Sequence, residues 1–367
     1  MRSSSGEHFV ALDHVRALAA LLVFVWHFTH AGTGYPVPFE YVPPLPLFFM
    51  AVLDEGHTGV ALFMSLSGYL FARLLNNRNI HYGWFLWNRA IRLLPMLVLV
   101  VAMAGALAFW QGQDMGAFWQ SVRDGWYLPT LPNGGWSITV EFHYYLVLPL
   151  LLWLLRRSRW LLLCVVAVAM VLRYSLWVRN GEVQTLAYAT LVGRIDQFVL
   201  GMLAFHCRSL WVGRHLRVWG LLAAFALFYW YFDGKGGFYL NPRFPSGDGL
   251  WVLMPTMEGF AWGALIAWYD GSFAHDGRSR FSQVVAAAGA YSYSIYLLHF
   301  FVVFQMARLV HVHVADLSNF YLACAWAVVG FGCMLPAGYV SYRFVEAPCL
   351  ALRRRYIIGL SHQAIAR

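Results

Sequence analysis

Long apolar stretches recur along the whole chain at close to the length of a membrane-spanning helix. An α-helix needs about 20 apolar residues to cross the hydrocarbon core of a bilayer. Stretches near this length occur, with boundaries good to a few residues, at 9–30, 56–76, 85–110, 138–155, 159–178, 187–207, 214–232, 250–270, 284–308 and 319–345. The pattern therefore predicts an all-α fold, a polytopic transmembrane helix bundle of about ten spans.

The composition agrees with a membrane bundle rather than a soluble domain. The 367 residues are 60% hydrophobic and 12% charged, whereas soluble domains are about 45–50% apolar and about 25% charged. No linker or internal repeat divides the chain, so we predict a single transmembrane domain at 1–350 and a short basic tail at 351–367. The five cysteines form no C-x-x-C pair and are interpreted as packing residues, and no metal site is predicted.

The lysine and arginine residues predict the orientation, because basic residues accumulate in loops on the cytoplasmic side of a membrane. With the N-terminus in the cytoplasm, the inner side receives Arg2, Arg73, Arg78, Arg89, Arg92, Arg156, Arg157, Arg159, Arg208, Arg214, Arg217, Arg278, Arg280 and Arg353 to Arg355. The outer loops keep little beyond Arg123, Arg179, Lys235 and Arg243. An even number of spans then places both termini in the cytoplasm, and the net charge of +9 does not require a nucleic-acid partner.

Two ionisable residues lie within the first apolar stretch, Arg16 and His27. Eleven residues at 100° each return to within about 20° of the starting direction, so both side chains belong to one helix face. Along the helix axis they are separated by about 16 Å. Ionisable groups at membrane depth are costly and usually functional, so this pair is the first candidate for chemistry.

The other polar residues of the predicted spans form two groups by depth. The outer group, at the depth of His27, contains carboxylates, an arginine and another histidine, whereas the inner group is rich in arginine. The outer candidates are Glu141, Arg194, Asp196 and His299, and the inner candidates are Arg89, Arg92, Arg343 and Glu346. A plainer interpretation exists for both groups, since arginines near span ends anchor the topology and buried histidines or ion pairs often only hold helices together.

Aromatic residues are frequent in the predicted outer loops. Trp119, Trp126, Tyr127 and Trp136 lie in the loop after the third span. Aromatic residues beside a membrane normally form the interfacial belt, and a platform that stacks against sugar rings is the alternative.

Six motifs occur in chain order on the predicted helices. They are Leu12-Asp13-x-x-Arg16 with His27; Gly59-Val60, Phe63 and Ser67-Gly68-Tyr69; Arg89-x-x-Arg92-x-x-Pro95; Trp136 to Glu141 with Tyr145 and Pro149; Ser292-Tyr293-x-x-Tyr296-x-x-His299; and Ser341-Tyr342-Arg343-Phe344-Val345-Glu346-x-Pro348. In these motifs the chain resembles the acyltransferase 3 family of integral membrane acyltransferases, almost from end to end. It departs from the family at Ala61, where Asp is frequent, and at Phe142-His143, where Glu-Gln is common. Those departures bear on the substrate more than on whether the enzyme works.

The resemblance implies an O-acyltransferase in the cytoplasmic (inner) membrane of a bacterium. The donor would be cytoplasmic acyl-CoA, expected here as acetyl-CoA, with no permanently bound cofactor. The acceptor would be a hydroxyl of an extracytoplasmic or lipid-linked glycan, the lipid bilayer is the other partner, and no nucleic acid is expected. The acceptor, the acyl chain, the oligomeric state and the choice between direct transfer and a covalent acyl-histidine stay open.

The resemblance also suggests roles for the polar residues. Arg89 and Arg92 would hold the phosphates of the donor, since arginine suits bidentate phosphate contacts. Arg16, with Ser67, would line the path of the pantetheine arm or help to hold the donor. His27 would be the general base, oriented by Glu141 as a carboxylate orients histidine in a Ser-His-Asp triad. Further polar candidates without a settled role are Asp13, Arg194, Asp196, His299, Tyr296, Arg343 and Glu346.

A transporter is the competing interpretation, because intramembrane His, Glu and Arg residues also form proton or substrate relays. Many transporters show inverted repeats and helices broken at corresponding positions in two halves, and the sequence shows neither. Acyl-CoA hydrolysis or acceptor modification would indicate the enzyme, and coupled flux of an unmodified solute would indicate the transporter.

Overall fold

Helices make up nearly all of the regular structure. A computed structural model of the chain describes residues 9–30, 41–75, 78–239, 244–274, 277 and 279–358. Its α-helices are α1 Val10–Thr29, α2 Ala51–Asp54, α3 Thr58–Leu75, α4 Tyr82–Trp110, α5 Met115–Asp124, α6 Trp136–Arg157, α7 Arg159–Asn180, α8 Gln184–Ala189, α9 Leu191–His206, α10 His215–Gly234, α11 Met254–Ser272, α12 Arg280–Ala290, α13 Ser292–Leu298, α14 Val303–His313, α15 Phe320–Ser341 and α16 Ala347–Leu350. The predicted helical fold is confirmed over these residues.

The connections contain short turns and one small sheet. Turns of 3-10 helix lie at Leu45–Met50, Arg208–Leu210, Gly249–Val252 and His299–Phe301, and a π-helical turn lies at Tyr342–Glu346. The antiparallel strands β1 (Asn79–Ile80) and β2 (Ile357–Ile358) pair with each other. The predictions made for Arg2, Arg243, Arg278 and residues 359–367 lie outside the described residues.

Six of the described helical segments are long and apolar enough to cross a membrane, namely α1, α3, α4, α6, α7 and the run Phe320–Leu350. The pair Arg280–Ala290 and Ser292–Phe301 makes a seventh if it is one span bent by 56°. The three other predicted spans coincide with α9, α10 and α11. Helix α9 has only 16 residues because a break at Thr190 separates it from α8. In α10 and α11, charged and aromatic residues lower the mean hydropathy. A multi-span membrane protein is supported, while the count of ten and the orientation of the termini stay predictions.

Helices α1 and α3 lie at the centre of the bundle. In the most apolar 18-residue stretch of each helix, 78% of the residues are buried in α3 and 67% in α1, against 22% in the peripheral α7. Helix α1 packs against α3, α12, α13, α14 and α15, and α3 also packs against α9 and α11. A helix that is surrounded by protein can carry ionisable side chains that lipid would not tolerate. The two helices with the first motifs are therefore where a polar site can form.

The backbones of α3 and α9 touch at two glycines. A Cβ atom on Gly68 would lie 1.9 Å from the carbonyl oxygen of Phe198, and one on Gly201 would lie 2.0 Å from that of Ser65. Small residues allow membrane helices to approach at backbone distance, where van der Waals packing drives their association. This contact fixes α3, and with it Ser67, against the rest of the bundle.

The segment after α16 folds back onto the start of α4. The amide of His81 donates to the carbonyl of Tyr356 at 2.7 Å. The Asn88 side chain donates to the carbonyl of Arg354 at 2.6 Å and accepts from its amide at 2.9 Å. We call residues 351–358 the C-terminal strap; they form the described part of the predicted basic tail.

We predict that Gly68→Ala lowers the free energy of unfolding by about 1–3 kcal/mol, because the new methyl group collides with backbone rather than with a movable side chain. Gly220→Ala in α10 is the matched control, since no atom lies within 4 Å of its Cβ position. Thermal unfolding of both purified variants in the same detergent measures the difference. Equal melting temperatures would contradict the backbone contact.

Candidate active site

Helix α1 contributes a polar side chain to each of two cavities. Arg16 lines the first cavity, and its guanidinium is paired with Asp13 one turn earlier. His27 lines the second cavity and is half-buried, although its neighbours Trp26 and Phe28 are buried. One helix therefore connects the two cavities along its length.

The first cavity, which we call the arginine cavity, comprises about 770 Å³ of space between the atoms, including the part that is open to the surroundings. Its polar lining consists of Arg16, Ser67, Arg89, Arg92, Ser137, Glu141, Tyr145, Ser292, Tyr293 and Tyr296. Glu141 accepts hydrogen bonds from Ser67, at 3.2 Å, and from Tyr145. Arg89 lies over the ring of Phe71 at 5.2 Å, and its buried Nε has no hydrogen-bond partner among the described residues. Three arginines and one carboxylate give the lining a positive charge, which suits an anionic ligand.

The second cavity, which we call the aromatic cavity, comprises about 560 Å³ of space measured in the same way. Its aromatic lining consists of Trp26, Trp136, Tyr188, Phe238, Tyr239, Phe244, Tyr296 and Phe300, and His27 is the histidine among its lining residues. Val60 and Tyr296 line both cavities. The two cavities therefore adjoin at these side chains, and we call this place the junction.

The hydrogen bonds of His27 determine which of its nitrogens can act as a base. Its Nδ1 lies 2.9 Å from the carbonyl oxygen of Val23 and 3.3 Å from Nε2 of His299. Nδ1 of His299 lies 2.6 Å from the carbonyl oxygen of Tyr296. A carbonyl can only accept, so both Nδ1 atoms carry hydrogen, and Nε2 of the neutral His299 ring can accept from Nδ1 of His27. This arrangement leaves Nε2 of His27 as the atom with a free lone pair.

The family comparison covers all helices that line the two cavities. The acyltransferase domain of the acyltransferase 3 family matches residues 9–343. The chain belongs to the acyltransferase 3 family. The recognition from the six motifs is thereby confirmed, and the protein is a membrane acyltransferase. No curated protein and no solved structure matches it.

In this acyltransferase no hydrogen bond joins Glu141 to His27 in the described part of the chain, although their similar depth suggested one. Glu141 faces the arginine cavity with Ser67 and Tyr145, whereas His27 contacts His299. Equal depth along two helices does not fix the direction in which their side chains point. His299, for which packing was one interpretation, is the residue that the structure brings to His27.

Arg194 and Asp196 are both buried but do not pair with each other. Asp196 is held by Arg173, which donates from both terminal nitrogens at 3.1 and 2.6 Å. Arg173 lies on α7 and was not recognised from the sequence, where it looks like an isolated arginine in an apolar helix. Both partners are fully buried and also hydrogen-bonded to neighbouring groups such as Thr256. This pair holds α7, α9 and α11 together.

Arg194 is buried and does not itself line the aromatic cavity, but it packs against two residues that do. Its guanidinium lies 4.4 Å from the ring centre of Tyr188 and 5.3 Å from that of Trp136. It also donates to Gln197 at 3.0 Å, and Gln197 donates to Glu258 at 2.7 Å. Arg194 thus supports two aromatic lining residues, while its charge is balanced through Gln197 by a buried carboxylate.

The two candidates at the end of α15 have different surroundings. Arg343 is exposed, whereas Glu346 is buried and accepts a hydrogen bond from Ser294. Both lie in the π-helical turn Tyr342–Glu346, and such turns often occur where a helix is adapted to a functional site. The structure therefore brings Glu346, and not Arg343, towards the arginines of α4.

A cluster of ionisable residues behind the aromatic cavity was not predicted from the sequence. Glu55 accepts from the amide of Phe238 at 3.0 Å and lies 3.1 Å from His57. Burial and the neighbouring charge of Glu55 raise the pKa of Asp54 well above its ordinary value. The sequence Asp54-Glu55-Gly56-His57 could have indicated the cluster, since three of four residues are ionisable beside a predicted span. Its effect is to hold the loop of Phe238, a lining residue, against the start of α3.

We predict that Asp196→Asn destabilises the protein by roughly 3–5 kcal/mol, because it leaves the charge of Arg173 buried without a counter-charge. The double variant Arg173→Met with Asp196→Leu should recover much of this loss, since two apolar residues leave no uncompensated charge. Thermal unfolding in detergent measures both. A double variant as unstable as the single variant would contradict a purely structural role of the ion pair.

Proposed function

We propose that this acyltransferase moves an acyl group, specifically acetyl, from cytoplasmic acyl-CoA to a hydroxyl of an extracytoplasmic or lipid-linked glycan in the bacterial inner membrane, with His27 as general base. The observation that carries the proposal is the meeting of a cationic and an aromatic cavity at Val60 and Tyr296, with His27 on the aromatic side. The two substrates then approach from opposite sides of the junction.

The arginine cavity is suited to the donor. Arg89 and Arg92 offer guanidinium groups that match phosphate oxygens. Arg16, which pairs with Asp13, lines the same cavity and on this proposal guides the pantetheine arm. The arm has to span about 16 Å to bring a thioester from the level of Arg16 to that of His27. Glu141 keeps Ser67 and Tyr145 in place along this path.

The aromatic cavity is suited to a sugar. Flat rings such as Trp136 and Tyr188 can cover the apolar face of a pyranose, while ring hydroxyls stay free for hydrogen bonds. Trp119, Trp126 and Tyr127, from the same predicted outer loop as Trp136, do not line this cavity. Trp136 is therefore the residue of this predicted sugar-stacking platform that supports an acceptor site.

The transfer step uses Nε2 of His27. It takes the proton of the acceptor hydroxyl as the oxygen attacks the thioester carbonyl. The C–S bond breaks, and the imidazolium returns the proton to the departing CoA thiolate, so that CoA thiol and ester are the products. During the step the positive charge of His27 is shared through Nδ1–H with Val23 and His299.

His299 is therefore a positioning residue for His27. Its own Nδ1–H is held by the carbonyl of Tyr296, so its Nε2 presents a lone pair to His27. This is the part that a carboxylate plays in a Ser-His-Asp triad. A neutral acceptor provides it here.

We predict that His27→Ala lowers CoA release from acetyl-CoA by about a hundredfold to ten-thousandfold, the usual contribution of a general base. The assay measures free thiol with the purified protein in nanodiscs and a screened glycan acceptor. Acetyl-CoA binding by the variant should be unchanged, since His27 does not line the arginine cavity.

The matched control is His206→Ala. His206 makes the same bond to a carbonyl four residues earlier, from Nδ1 to Met202 at 3.1 Å, but it is exposed and lines neither cavity. Its activity should equal that of the wild type. Near-normal transfer by His27→Ala would exclude His27 as the base, and a wild type that does not bind acetyl-CoA would exclude the donor.

We predict that His299→Phe lowers kcat by about tenfold to a hundredfold, because the imidazolium loses a charge-assisted hydrogen bond. KM for acetyl-CoA should stay the same, and His299→Gln should restore part of kcat, since an amide oxygen can accept from Nδ1–H of His27. A loss that follows only the fraction of folded protein, with no recovery by Gln, would reduce His299 to a packing residue.

A further inference from the structure

The C-terminal strap brings a third arginine to the arginines of α4. The strap begins eight residues beyond the matched domain, which ends at residue 343, so Arg353 lies outside the part of the chain that the family comparison covers. The strap is fixed to α4 by the bonds of Asn88 and His81 described above. Its position is therefore set by backbone contacts and not by the arginine side chain.

The side chain of Arg353 is half-buried next to Arg89 and Arg92. Burial first, and then the positive charges of Arg92 and Arg89, lower the pKa of Arg353 to about 9. Its buried Nε has no hydrogen-bond partner among the described residues, and the same is true of Nε of Arg89. Each of these two arginines thus has a buried N–H donor that meets no acceptor among the described residues.

The surrounding groups do not balance this charge. The carboxylate that faces Arg92 and Arg353 is Glu346, and Tyr342 and Tyr356 are the phenols near Arg353. One oxygen of Glu346 accepts from Ser294, and the other is buried without a hydrogen-bond partner among the described residues. Glu141 lines the arginine cavity with Arg89 and Arg92. Two carboxylates beside three guanidinium groups still leave an excess of positive charge, which favours an anionic ligand.

We propose that Arg353 is a phosphate-binding residue of the donor site, which it forms together with Arg89 and Arg92. The proposal rests on the proposed function for the identity of the ligand, acyl-CoA. CoA carries a diphosphate and a separate ribose phosphate, so its anionic groups are spread over more than one position. Arg353 does not line the arginine cavity itself, and it contacts the nucleotide end of CoA, while the thioester end passes Arg16.

A structural role of Arg353 in fixing the strap is the alternative, and a matched pair of variants separates the two. Arg353→Gln and Arg355→Gln remove the same charge from the same strap. Arg355 is exposed and therefore serves as the control. Binding of acetyl-CoA to each purified protein in nanodiscs is measured by calorimetry, and turnover is measured with S-acetylpantetheine, which has a thioester but no phosphate.

Arg353→Gln should weaken acetyl-CoA binding by about tenfold, the effect of one lost charge-assisted hydrogen bond, and Arg355→Gln should leave it unchanged. Turnover of S-acetylpantetheine should be the same for both variants and the wild type, which shows that the fold and the transfer step are intact.

Equal acetyl-CoA affinity of the two variants overturns the role of Arg353 and leaves the proposed function standing. A loss of S-acetylpantetheine turnover by Arg353→Gln alone also overturns it, in favour of the structural role. Absence of acetyl-CoA binding by the wild type would overturn both proposals.

Discussion

The cost of burying charge in an apolar bundle governs the whole arrangement. Each ionisable group at membrane depth needs a partner, because neither lipid nor packed side chains can solvate it. Arg173 and Asp196 satisfy each other completely, and Arg16 is held by Asp13. Arg89 is different, since its Nε has no partner among the described residues. The Arg173–Asp196 pair therefore holds the fold, whereas Arg89 keeps a donor available to a ligand.

Hydropathy located the helices well because each apolar stretch is a local property of the sequence. It did not determine the number of crossings, since the decisive features are local irregularities within apolar runs. The break at Thr190 and the bend of 56° between α12 and α13 interrupt stretches that look continuous in composition. Neither break contains a proline or a charged residue. At Thr190 the interruption is a helix cap, in which the side chain accepts a hydrogen bond from the amide of Gly193 at 3.1 Å, and such a cap within an apolar run barely changes the hydropathy.

The positions of site residues on a single helix could be predicted from the sequence. Contacts between the side chains of two different helices could not. Arg16 and His27 reach one pair of adjoining cavities because helix periodicity alone fixes their common face. Glu141 was paired with His27 from depth alone, and its side chain instead meets Ser67. The partner of Asp196 was missed for the same reason, since no local pattern connects Arg173 to a carboxylate 23 residues away.

The junction between the cavities has a consequence for selectivity. On the proposed path only the acyl group has to pass Val60 and Tyr296, while both substrates stay in their own cavity. The space between these two side chains then limits the length of the acyl chain that can pass, so that a two-carbon group passes more readily than a long one. A change of acyl preference among related enzymes would in this case arise at two positions that bind neither phosphate nor sugar.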